Sequence, residues 1–323
     1  MNRVLLQNSF SISAGTICHS SLYFKMGHRK ILLCHPGTWI DQKLLAKIEQ
    51  LKEKIDAQIV IDEDLKENFK LLLAHHLAFE FENDLALSKK ELIKTFSKMQ
   101  DEEKSFLNWS IACFEVFNKA SVEELNEFHE VDLNLFRKAH LSAAISIWVS
   151  LANGYYDPAY LEDIYHITFF QDAGLIHQQY SYYITEALDK ESVQPGEGIK
   201  YLIAQNASDA EIKLFKDHPF GSYEYIRRLN LLHHPEFANT VLYGHELNNG
   251  SGFPFGFTQP VLATWEKIII LSDHLVKYHS TTNYNLGLEI KNIDSLTYKL
   301  LPIKKILLRS LETTSQVHQK VSA

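Results

Sequence analysis

The 323-residue chain has little cysteine: Cys18, Cys34 and Cys113, an odd number with no Cys-x-x-Cys pair. A disulfide framework or a thiolate zinc site is therefore not expected. It also lacks long apolar runs. Stretches such as Ala143-Ala144-Ile145 fall far short of the ~18–20 residues that a membrane-spanning helix needs. The opening MNRVLLQNSFSISAG holds only a short apolar run, too little for a signal-peptide core, so the expected location is cytoplasmic. Bases are outnumbered, 32 against 40 acids, for a net charge of −8. Broad attraction to a nucleic-acid polymer or an anionic membrane is not expected at that balance. Internal repeats and low-complexity tracts are absent as well. What is present is ordinary globular material, 46% apolar and 22% charged. A chain of this length buries about three quarters of its unfolded surface. Disorder, collagen and coiled coil are excluded as the main architecture. Histidine stands out, with 16 residues.

Residues 1–62 differ in pattern from the rest. β-rich runs occur at 21–25 and 30–34, with Gly27 and Pro36-Gly37 as turn signals. A helix is predicted over 41–55, where Leu44, Leu45, Ile48, Leu51 and Ile55 recur at three or four residues. A strand is predicted at 58–61. This reads as a small α/β domain. From Asp62 onward the period is helical, with helices predicted at 64–80, 88–99, 101–118, 122–129, 132–152, 158–170, 212–215, 221–232, 260–278 and 295–321. Ser88 with Glu91 suits a helix start. Pro158 and Pro219 suit first-turn positions, and Pro302 divides or kinks the last helix. Loops are predicted at 193–198 and 248–257.

The chemistry-bearing region runs from Asp217 to His274: DHPFG, then HELNNGSGFPFG, then IIILSDH. His218, His245 and Asp273 follow one another at a little under thirty residues, the length of one helix and its return. Such spacing sets ligands on successive helices facing one core, as helical bundles build metal sites.

These pieces resemble the HD-GYP family, HD-domain phosphohydrolases that open cyclic di-GMP. His218-Pro219 and Gly221 match HP-x-x-G. His245-Glu246, Gly250, Gly252 and Pro254 match the end of the HHE-x-x-DG-x-GYP box, with Phe253 at the Tyr, and Asp273 matches the late Asp. Gln171-Asp172-Ala173-Gly174 stands at HD-x-G, and His140 at the first His. The resemblance spans roughly residues 125–285. It implies a mainly α fold, a helical HD-domain bundle preceded by the small α/β N-terminal domain. The implied layout is 1–62 for that domain, 63–124 for a helical connector and 125–323 for the HD-GYP-like domain. It also implies a pair of divalent metals, iron or manganese. Asp172 would bridge them, as the catalytic residue of an active member; His140 and Asp273 would serve one, and His218 and His245 the other. Metals in such a site polarise a phosphodiester and acidify the attacking water.

The chain departs from the family at Gln171 for the His of HD and at Leu175 for the following Lys. It departs again at Gly244 for the first His of HHE, at Asn249 for the Asp of DG, and at 281–285, which carries no base. Gln171 is a poor ligand for transition metals, and Gly244 offers none. Two readings follow. One is a degenerate HD-GYP-like domain of cyclic-di-GMP signalling, with reduced metal occupancy and weak or absent phosphodiesterase activity. It would act by binding cyclic di-GMP or through a protein partner, a diguanylate cyclase or a second copy of the chain. The other is an active metal-dependent phosphodiesterase with an altered dinuclear site. At most one metal is expected, at Asp172, His218 and His245 or at His140, Asp172 and Asp273. His233-His234 imitates the HH pair only in a shifted register, and His177 stands near enough in sequence to replace a ligand. In the loop Gly250–Phe257, alternation would set Phe253, Phe255 and Phe257 on one side of an extended segment. Phe255 and Phe257 are the candidate contact residues.

Overall fold

The computed structural model describes residues 2–4, 13–18, 21–26, 29–54, 58–62, 69–71, 73–74, 103–176, 182–193, 196–247, 249–258 and 262–276. The helices predicted at 88–99 and 295–321, with Ser88 and Pro302, lie outside the described residues, as do His177 and the stretch 281–285. Of the helix predicted at 64–80, residues 69–71 and 73–74 are described, and they are helical.

The fold is mainly helical, with a small antiparallel sheet near the N-terminus. Strands β1 (Asn2–Val4), β2 (Thr16–Ile17), β3 (Leu22–Met26), β4 (Arg29–Cys34) and β5 (Trp39–Ile40) precede helix α1 (Gln42–Lys54) and strand β6 (Gln58–Asp62). The larger sheet runs β1-β6-β3-β4, with Phe24 opposite Ile59 on one side and Ile31 on the other. Leu44, Leu45 and Ile48 of α1 pack with Cys18, Leu22, Cys34 and Ile40 into a small core. Trp39 ties this unit to the helices. Its indole N–H donates to Asn126 Oδ1 at 2.9 Å, and its ring meets Phe114 and Phe136 at 5.9 and 5.6 Å.

Helices α2 (Glu103–Phe117), α3 (Val122–Val131), α4 (Leu133–Ala152) and α5 (Pro158–Phe169) follow, then a short 3₁₀ turn, Ala173–Leu175. After it come α6 (Tyr182–Val193), α7 (Glu197–Ala204), α8 (Asp209–Leu229), a 3₁₀ segment Pro235–Tyr243 and α9 (Thr264–Leu275). Their starts follow from local chemistry. Ser121 and Glu124, and Ser208 and Glu211, form reciprocal capping boxes; Asp132 accepts the amides of Asn134 and Leu135 in α4, and Asp157 that of Tyr160 in α5. Helix α4 is central, packed by α2, α3, α5 and α9. It is buried on every side, as an all-round apolar helix must be, yet Lys138 lies within the buried stretch.

Three helices differ from the sequence pattern. The pattern divides 212–232 at Pro219, whereas α8 continues through it. A proline inside a helix costs about 3 kcal/mol. Phe215, His218, Ser222, Tyr225 and Ile226 are buried along one face of α8, and that burial outweighs the cost. Helices α6 and α7, absent from the sequence pattern, form a hairpin closed by one buried acid. The Glu191 carboxylate accepts the amides of Gly196 and Gly198 at 2.9–3.1 Å.

Candidate metal centre

Asp172 sits at the entry to the 3₁₀ turn after α5, His218 in mid-α8, and His245 just beyond the 3₁₀ segment. Contact between glycines brings the first two together. A Cβ on Gly174 would lie 2.2 Å from the His218 carbonyl oxygen and 2.6 Å from the Ser222 nitrogen; one on Gly221 would lie 2.9 Å from Gly174 Cα. The Gly174 amide donates to Ser222 Oγ at 2.9 Å. Only hydrogen fits between these backbones, which gives both motif glycines a packing reason. Gly252 does the same for His245: a Cβ there would lie 2.4 Å from the His245 carbonyl oxygen.

Pro219 orients His218. Having no amide hydrogen, it leaves the Phe215 carbonyl without its helical donor. His218 Nδ1 donates to that carbonyl at 2.6 Å. A carbonyl can only accept, so Nδ1 carries a proton and Nε2 is the ring atom turned inward. Nε2 lies 3.6 Å from an Asp172 oxygen and 3.2 Å from His245 Nε2. Phe253 stacks on the His245 ring at 4.6 Å. Asp172, His218 and His245 are buried, and their ligand atoms all lie within 4.8 Å of one another. One carboxylate and two imidazoles suit a divalent first-row metal. A hydrogen bond from the second imidazole nitrogen to a carbonyl is the support that metal-bound histidines normally have.

The other half of the centre is organised differently. Lys138, 2% exposed, reaches from α4 and donates to Asp172 Oδ2 at 2.9 Å and to Asp273 Oδ1. Gln171 Nε2 also donates to Asp273 Oδ1, at 2.7 Å, so it serves as a donor to the acid. Burial alone would lower the Lys138 pKa, but Asp172 and Asp273 outweigh it and hold the pKa above the ordinary lysine value. Burial would raise Asp172; Lys138 and His218 hold it below the usual carboxylate range. His140, two residues along α4, turns elsewhere. Its Nε2 lies 3.1 Å from Ser110 Oγ, its ring meets Phe114 edge-on, and burial lowers its pKa to about 3. The structure thus gathers Asp172, His218 and His245, joins Asp273 to them through Lys138, and leaves His140 on the far face of α4. Leu175 is buried, and Gly244 meets only the Val241 carbonyl at 3.6 Å from a built Cβ. His233 and His234 are held away from the centre by Glu162 and Asp163.

No protein-family model matches the chain, and no curated protein matches it. A solved structure is similar to it along nearly its whole length. That structure is titled "Bd1817, a HDG"Y"P protein from Bdellovibrio bacteriovorus". The two share 13% identity at a TM-score of 0.40, over 99% of this chain and 100% of the other.

Lys138 and Glu246 carry roles that the sequence pattern did not single out. Lys138 follows Arg137 in the sequence, and nothing around it signals its role. Glu246 is 1% exposed and accepts the amides of Phe255, Gly256 and Phe257 at 2.6, 3.2 and 2.7 Å. It folds the loop back, helped by the positive φ of Gly250 and Gly256. The loop is therefore not extended, and the expectation of three rings on one side is corrected. Phe253 is buried against the histidines. Phe255 and Phe257 are each 44% exposed and stack on one another at 4.8 Å, with exposed Phe220 edge-on to Phe255. Glu246→Gln keeps the shape but removes the charge from three hydrogen bonds. The expected cost is about 2 kcal/mol, with faster hydrogen exchange at the amides of 255–257. Unchanged exchange there would refute the clamp.

Proposed function

We propose that the chain is a degenerate HD-GYP-like module of cyclic-di-GMP signalling, working by binding or protein interaction, with phosphodiesterase activity weak or absent. The observation that carries this reading is the asymmetry of the centre: a ligand set for one divalent metal at Asp172, His218 and His245, beside an Asp172–Asp273 pair already bridged by Lys138. The buried Leu175 supports it, since a leucine cannot pair with a phosphate. A metal at the three-residue set would supply Lewis acidity. The chain's own part is to hold His218 in one tautomer through Phe215 and to cover His245 with Phe253. The exposed rings of Phe255 and Phe257, with Phe220, offer an apolar contact for a partner such as a diguanylate cyclase or a second copy. No helix among the described residues is long and apolar enough to cross a membrane, which is compatible with a cytoplasmic location.

The alternative, an active phosphodiesterase with an altered dinuclear site, draws on the same three ligands. Turnover separates the two. With manganese or ferrous iron supplied, linearisation of cyclic di-GMP is expected below roughly a thousandth of a competent enzyme's rate. A single missing transition-state contact costs ~10²–10³ in rate, and more than one is missing here. Calorimetry on the same protein should still register binding of the dinucleotide or of a partner. Turnover at an ordinary rate would establish the enzyme instead.

A further inference from the structure

We infer that the Lys138 ammonium is a built-in replacement for one of two divalent cations, restricting the centre to a single metal at Asp172, His218 and His245. This rests on the reading of those three residues as a metal site, and it names what fills the other half. Lys138 lies between the two carboxylates that a second cation would need, donating to Asp172 at 2.9 Å and also to Asp273. Gln171 takes a further share of Asp273 at 2.7 Å.

Charge and geometry agree. With neutral imidazoles, two carboxylates and one ammonium leave a single negative charge, which one divalent cation reverses. A second divalent cation would have to enter beside a buried ammonium that has no solvent to retreat into, since Lys138 is 2% exposed. The replacement is unequal in one respect. An ammonium neutralises carboxylates through hydrogen bonds that it donates, but it has no coordination position at which to receive an oxygen ligand. It preserves the architecture of the site without the electrophilicity of a second metal.

The test counts metal rather than product. Full-length protein stripped of metal is titrated with Mn²⁺ and the bound equivalents are measured. Lys138→Met is expected to bind one equivalent more than wild type, and Lys138→Arg, which keeps the charge, the same number as wild type. Electron paramagnetic resonance of wild type at excess Mn²⁺ is expected to show isolated ions, and this readout holds even if Lys138→Met does not fold. Equal stoichiometry in wild type and Lys138→Met, or an exchange-coupled manganese pair in wild type, would overturn the inference. Neither readout depends on cyclic di-GMP, so failure here is distinct from failure of the proposed function.

Discussion

Lys138→Ala, measured without added metal, is expected to lose about 3–5 kcal/mol of stability, the usual effect of removing one partner from a buried ion pair. For a domain of this order that is a fall of roughly 10 °C in melting temperature. The loss comes less from the missing bonds than from two carboxylates left facing each other inside the protein, Asp172 and Asp273, 5% exposed each. Adding Asp273→Asn to the alanine variant should recover part of the loss, because one charge is then removed along with its partner. The pH dependence has a definite sign. Asp172 is held below its ordinary range, so its contribution is present above the unfolded carboxylate pKa of about 4 and is lost as pH falls through the folded value. Lys138 is held above its ordinary range, so its contribution is present below about 10.4 and is lost as pH rises through the folded value. The stability gap between wild type and Lys138→Ala should be smallest in acid and widen as pH rises above about 4, because the two unpaired buried acids left in the variant have raised pKa values and cost more once ionised. An alanine variant that melts with wild type would mean that the carboxylates are not ionised together, and the electrostatic account of the centre would fail.

Gly174→Ala is the second large effect expected. Its Cβ would stand 2.2 Å from the His218 carbonyl and 2.6 Å from the Ser222 nitrogen, both backbone atoms of α8. Neither can yield alone, so the 3₁₀ turn and the helix must separate as units. Overpacking a tight contact costs about 1–3 kcal/mol and sometimes more, and backbone against backbone belongs at the upper end. Asp172 and His218 ride on the separating parts, so Mn²⁺ affinity should drop by at least tenfold. Gly244→Ala is the control: its backbone is already helical, and the nearest atom to a built Cβ is 3.6 Å away. That variant should stay within about 1 kcal/mol of wild type. If the two alanines behave alike, the contact between Gly174 and α8 is not what assembles the centre.

Much of the helical frame is legible from sequence because its signals are local. Ser121 with Glu124, and Asp157 before Pro158, announce helix starts through bonds made within a few residues. The strands at 22–26 and 29–34 follow from β-branched and aromatic runs bounded by turn residues. The centre is legible in part for the same reason: a histidine before a proline and a glycine-rich box are short patterns. What escapes is set by tertiary contacts. Whether Lys138 faces solvent or two acids depends on where α5 and α9 deliver Asp172 and Asp273, and no window of sequence around position 138 holds that information. His140 shares the same helix two residues on, and the turn of about 200° between them sends it to Ser110. Phe253 and Phe255 alternate in sequence, but the Glu246 clamp, formed across nine residues, decides which ring goes in.

Pro219 sets the helix and the centre at odds. An alanine there would restore an amide to α8 and relieve a cost of about 3 kcal/mol, so selection for a sturdier helix alone would discard the proline. The restored amide would also compete for the Phe215 carbonyl that His218 now uses. The chain keeps the weaker helix and the better-aimed imidazole, a trade of robustness for readiness of the kind concentrated at working sites.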